Sequence, residues 1–148
     1  RPIDYLLDQI ARYKLDVDWI IGYSGAVAVS KNGDVIWISV LSNKDLNKDD
    51  IIEYIYFEGR LVQVKAKRAF LGQHYEIYDG TIYVSNNCKL YAVKRLIKHI
   101  KWQDRVLTFG DGKYDQKLIN HFDGVLVKDR GDYEILQRLL DGNKQVQS

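Results

Sequence analysis

The sequence predicts an α/β protein in which a parallel-sheet domain carries a small α+β insertion. Two patterns predict it. Both ends of the 148-residue chain alternate helix-period and strand-like stretches, whereas the middle, between about Lys31 and Asp79, reads as hairpin, helix, hairpin. A hydrophobic content of 46% suffices at this length for one sizeable core with a small satellite layer beside it.

At the front, Pro2 suits a helix start because its missing N–H would be unpaired there, and Ile3, Leu6, Leu7 and Ile10 follow at helical spacing. The spacing predicts an amphipathic helix over about 2–13. The run Val17 to Gly22 reads as a mostly buried strand, and a strand directly after a helix suits a parallel sheet. Ala26 to Ser30 and Asp34 to Leu41 are two β-rich runs around Asn32-Gly33, a pair at ease at positive φ, so they predict a hairpin.

Asp45 to Asp50 supplies caps and first-turn acids ahead of Ile51, Ile52, Tyr54 and Ile55, with Gly59 placed to end a helix of about ten residues. From Arg60 the period becomes two, with Val62, Val64 and Ala66 on one face. A second strand pair follows at about 73–78 and 81–85, turning at Asp79-Gly80. After Lys89 the helical period returns through Ala92, Val93, Leu96, Ile97 and Ile100. The strand Val106 to Phe109, a helix bearing Leu118, Ile119 and Phe122, the strand Gly124 to Val127 and a last helix over about 132–141 complete the alternation, with a loose tail from Asn143.

Charge excludes some partners. With 22 Lys and Arg against 20 Asp and Glu, no strong field favours nucleic acid or an anionic membrane. No long uncharged apolar run could span a bilayer or serve as a signal peptide, and the lone Cys88 has no second thiol for an internal disulfide. A cytoplasmic protein is the plain expectation. The absence of Met and the opening Arg1-Pro2 further predict that residues precede Arg1 in the native protein.

Gly110-Asp111-Gly112-Lys113-Tyr114-Asp115 stands where an apolar strand gives way to a helix, and open α/β sheets bind ligands at the carboxyl ends of their strands. Two carboxylates four residues apart across a Gly-rich turn can converge on Mg²⁺, which takes oxygen ligands and keeps waters and substrate oxygens. The bland alternative is that Asp115 caps the helix and Asp111-Gly112 makes the turn. Lys89, ahead of the preceding helix, can bring an ammonium to the same sheet edge or can be a solvated surface group. His74, His99 and His121 lack metal-ligand spacing and read as surface or boundary residues, and Cys88 as a packed thiol.

The order of these features is more specific than any one of them. Val106 to Asp115, then Leu118-Ile119, then Asp123 to Val127, resembles the fourth motif of the haloacid dehalogenase superfamily, an apolar strand ending in GDGxND. Cys88 to Lys94 resembles the KGxAV segment with the third-motif lysine, and Asp16 to Ala26 the strand and NGA turn of the sugar-phosphatase and phosphoglycolate-phosphatase branch. Ser24 stands where that branch has Asn, Leu90 where it has Gly, and Tyr114 where it has Asn. Arg1-Pro2-Ile3 looks like the end of the second motif and the start of its helix.

The resemblance implies a Rossmann-like core with a parallel sheet, residues 1–31 and 80–148, and an α+β cap at 32–79. It implies Mg²⁺-dependent hydrolysis of a small phosphorylated metabolite through an aspartyl-phosphate. Asp111 would bind the metal, Asp115 would support that shell, and Lys89 would hold phosphate and nucleophile together. The first-motif aspartates that attack phosphorus would lie upstream of Arg1, so the chain alone is expected to be inactive. Lys65, Lys67 and Arg68 in the cap would face an anionic group or simply solvent. The rival expectation is a non-catalytic binding or assembly module of the same fold.

Overall fold

The computed structural model describes residues 1–127. They belong to two compact units, Arg1–Leu96 and a second beginning at Ile97. The expected helix over about 132–141 and the tail from Asn143 lie outside the described residues.

In the first unit, helix α1 (Ile3–Tyr13) is followed by strands β1 (Trp19–Gly22), β2 (Val27–Ser30) and β3 (Val35–Ile38), which form an antiparallel sheet in the order β1-β2-β3. Strand alternation gives this sheet two apolar faces. Ile20, Val27 and Val29 pack with Ile3, Leu6 and Ile10 of α1 and with Ile55, Phe57 and Val62. Ala28, Ile21 and Trp37 on the other face pack with Ala92 and Leu96 of helix α2 (Lys89–Ile100). The hairpin expected around Asn32-Gly33 is present as β2–β3, with Gly33 at φ 88°.

The second sheet holds β4 (Ile51–Phe57), β5 (Arg60–Ala66), β6 (His74–Tyr78) and β7 (Thr81–Ser85) in the order β4-β5-β7-β6, all antiparallel. Leu61, Val64, Ala66 and Val84 form its own buried cluster with Leu41 and Leu46. In the second unit, β8 (Phe109–Gly110) and β9 (Val125–Leu126) flank helix α3 (Gln116–His121) and pair in parallel, Phe109 opposite Val125 and Gly110 opposite Leu126.

Two expectations are corrected. The chain does not form a Rossmann-like parallel core, because both larger sheets are antiparallel and the one parallel sheet among the described residues has two strands. The reason lies in the connections: a parallel pair needs a crossover of a dozen or so residues, whereas β1 reaches β2 through the short Tyr23–Gly25 turn. The helix expected from Ile51 is instead strand β4. Ile51, Ile52 and Ile55 with Tyr54, Tyr56 and Phe57 make a β-branched and aromatic run, and Glu58 and Gly59, both at positive φ, close it onto β5 as a two-residue hairpin.

Candidate functional site

Between β1 and β2 the backbone does something costly. Tyr23 and Ser24 take φ values of 51° and 58°, and Gly25 follows at 107°. Left-handed non-glycine residues side by side persist only where their surroundings over-determine them. Here Tyr23 N–H donates to the Arg1 carbonyl at 2.7 Å, and the Gly25 carbonyl accepts from Trp37 Nε1 and Asn87 Nδ2, each at 3.1 Å. Glycine is required at 25 also for space, since a Cβ there would stand 2.9 Å from both the Ala92 Cβ and the Cys88 carbonyl oxygen. The turn is thereby seated on the first turn of α2, whose first residue is Lys89.

This conformation directs Ser24 toward the second sheet. Its Oγ donates to Glu76 Oε2 at 2.5 Å and accepts from Gln63 Nε2 at 3.4 Å. The same Glu76 oxygen accepts from Tyr78 Oη at 3.0 Å, while Glu76 Oε1 stands 3.6 Å from Lys89 Nζ, which itself donates to Tyr78 Oη at 3.2 Å. The register explains the gathering. Lys65 pairs with Tyr83 and Tyr83 with Glu76, so these residues share one sheet face with Gln63 and Tyr78, two positions along their strands. Glu76 is 8% exposed, so these donors rather than water satisfy its oxygens.

Beside the cluster lies a crevice of about 220 Å³, lined among others by Arg1, Ser24, Glu53, Gln63, Lys65 and Tyr83. The Arg1 guanidinium lies 5.6 Å from the Tyr78 ring centre, and Lys65 Nζ lies 2.8 Å from Glu53 Oε2 and 5.8 Å from the Tyr83 ring centre. The bond to Glu53 holds the Lys65 ammonium above its usual pKa. Burial pushes the Tyr78 phenol up, with Lys89 opposing and Glu76 adding to the shift. Of Lys65, Lys67 and Arg68 only Lys65 lines this crevice; Arg68 Nε pairs with the buried Asp50 at 3.1 Å, and Lys67 is exposed.

The acids Asp111 and Asp115 come together in the second unit, at the turn after β8. Asp115 Oδ2 accepts from the amides of Asp111 and Gly112, each at 3.2 Å, and its side chain leaves no room for a Cβ on Gly110. Asp115 therefore shapes the turn, and Asp111 is the carboxylate left to offer oxygen to a cation. Among the described residues no three His, Cys, Asp or Glu side chains gather to hold a metal. Mg²⁺ commonly takes only one or two carboxylates and completes its shell with water and substrate oxygens, so the turn fits that ion through Asp111, with Asp115 behind it.

The sequence singles out Lys89, and Ser24 by its place in a turn, but not Glu76, Gln63 and Tyr78, which stand with them here. The available signal was a lone acid and amide on alternating strands whose other faces are apolar. His74 and His121 make edge contacts with Tyr91 and Phe122 and join no site; Cys88 is a half-buried free thiol. No helix among the described residues is long and apolar enough to cross a membrane. No family model, curated protein or solved structure matches the chain.

Proposed function

We propose that the chain belongs to a phosphomonoester hydrolase of the haloacid dehalogenase type acting on a small phosphorylated metabolite. The observation that carries the reading is the convergence of Lys89 Nζ, Tyr78 Oη and Ser24 Oγ on one carboxylate beside a crevice. A donor set that already satisfies a buried carboxylate suits the oxygens of a phosphate equally well. Lys89 supplies the point charge, and the two hydroxyls orient the group. The turn bearing Asp111 supports the metal part of the reading, because it follows a strand, precedes a helix and returns to a parallel strand. When bound there, Mg²⁺ would polarise a phosphoryl oxygen. No residue of the chain is assigned as nucleophile.

A second reading, a non-catalytic binding module, is favoured by Asp115, whose carboxylate is engaged with backbone amides as a turn-forming cap would be. Calorimetric titration with inorganic phosphate, with and without Mg²⁺, tests both. Phosphate should bind, Lys89→Ala should weaken binding at least tenfold, and Asp111→Asn should abolish binding of Mg²⁺ titrated by itself. Phosphate binding that ignores Mg²⁺ in the parent chain would favour the binding module. A chain that binds no phosphate, or binds it equally well without Lys89, would end the hydrolase reading.

A further inference from the structure

We infer that Glu76 is a built-in occupant of the anion site: its carboxylate fills the place of the phosphate and must leave Lys89 before an anion can bind. The inference rests on the reading of Lys89 as the phosphate contact and adds to it the device that controls access.

Charge bookkeeping around the crevice points to this. Lys65 is paired with Glu53 at 2.8 Å, and Lys89 faces Glu76 at 3.6 Å, so each of these cations already meets an anion. A phosphate dianion entering beside Ser24 and Tyr78 would meet the Glu76 carboxylate on the same donors. Two like charges cannot share donors at such separations in a partly buried place without one of them leaving or losing its charge. Lys89 and Tyr78 stay where the incoming group needs them, and Ser24 is fixed by its left-handed backbone. Glu76 is the member that must yield, because among the groups gathered here it is the one that carries the same charge as the incoming anion.

The nearly buried Glu76 gathers a serine hydroxyl, a tyrosine hydroxyl and an ammonium, which together satisfy both of its oxygens. That is a complement for an oxyanion with several acceptor oxygens. The site is therefore preorganised for a phosphoryl group and held closed by a carboxylate that imitates it. Ligands that bring their own positive charge or metal to displace Glu76 gain over bare phosphate.

The test is calorimetric titration of inorganic phosphate into the chain, the single variants Glu76→Gln, Glu76→Asp and Lys89→Ala and one double variant, with far-UV circular dichroism to show that each is folded. Glu76→Gln keeps the shape and removes the charge, and it should tighten phosphate binding at least tenfold. Glu76→Asp, which draws the carboxylate back by one methylene, should tighten it less but in the same direction, and it serves if the Gln variant does not fold. The gain should vanish in the double variant Glu76→Gln, Lys89→Ala. Unchanged or weaker binding in folded Glu76→Gln or Glu76→Asp, alongside a loss in Lys89→Ala, overturns the inference and leaves the phosphate reading standing. If neither the parent chain nor Glu76→Gln binds phosphate, both fall.

Discussion

Gly25 carries a double demand, of backbone conformation and of space, at the turn that presents Ser24. Its φ of 107° disfavours a side chain, and a Cβ would collide with the Cys88 carbonyl, which is backbone and cannot rotate away. Gly25→Ala should therefore destabilise the fold by about 3 kcal/mol, read as a lowered urea midpoint. Tyr23 and Tyr78 set the alkaline limit. Burial raises both phenols above their ordinary value, so the folded state keeps them neutral where the unfolded chain ionises them. That stability is complete below about pH 10 and is lost as pH climbs through the folded values. Urea midpoints should fall as pH rises above about 10, and Tyr78→Phe should lessen the fall. At this scale the sequence exposes Lys89 and Asp111 through their neighbours along the chain. It hides Glu76, because the partners that make it a site lie 52 residues away at Ser24 and 13 away at Lys89.

At the scale of elements, β4 is the instructive case. Asp49, Asp50 and Gly59 have the residue types of a helix start and stop, and Ile51, Ile52 and Ile55 fall at helical spacing, so local signals favour a helix. Pairing with β5 overrides them, since Tyr54 and Ile55 meet Val64 and Gln63 across the ladder, and Ile55 and Phe57 pack onto the first sheet's core. The turn that makes this pairing local is Glu58-Gly59, at φ 47° and 76°. Nothing lies within 4 Å of a Cβ at Gly59, so Gly59→Ala should cost only the backbone term, about 1 kcal/mol. Glu58→Asn should act in the opposite direction, raising the thermal midpoint slightly, because Asn tolerates positive φ in this turn type. The hairpins at Asn32-Gly33 and Asp79-Gly80 were legible because their turn residues carry the same preference in plain view.

For the whole molecule, the expected parallel sheet fails on connectivity. Helix-like and strand-like stretches do alternate at both ends, yet alternation fixes neither which strands neighbour each other nor their direction. Among the described residues, β8 and β9 alone pair in parallel, and α3 between them supplies the crossover that such pairing requires. The first unit has its own clusters around Val27, Val64 and Ala92. A fragment of residues 1–101, which retains all of α2, should accordingly fold alone. It should unfold in one cooperative step followed by fluorescence, with the emission of the buried Trp37 moving to longer wavelength as unfolding exposes it. A non-cooperative transition would show that the first unit depends on residues beyond α2.

The seam between Gly25 and Ala92 restricts what this site can become. On one side of it stands a residue with no side chain and on the other a residue with a single methyl group, so close that a Cβ on Gly25 would lie 2.9 Å from it. Ser24 and Lys89 hang from the two walls of that seam, so the span available to a ligand held between them has a floor. Enlarging residue 92 can push the walls apart and admit a broader group, at some loss of packing, but no substitution can bring them much closer. Variation, whether natural or engineered, can therefore widen ligand choice here far more readily than narrow it.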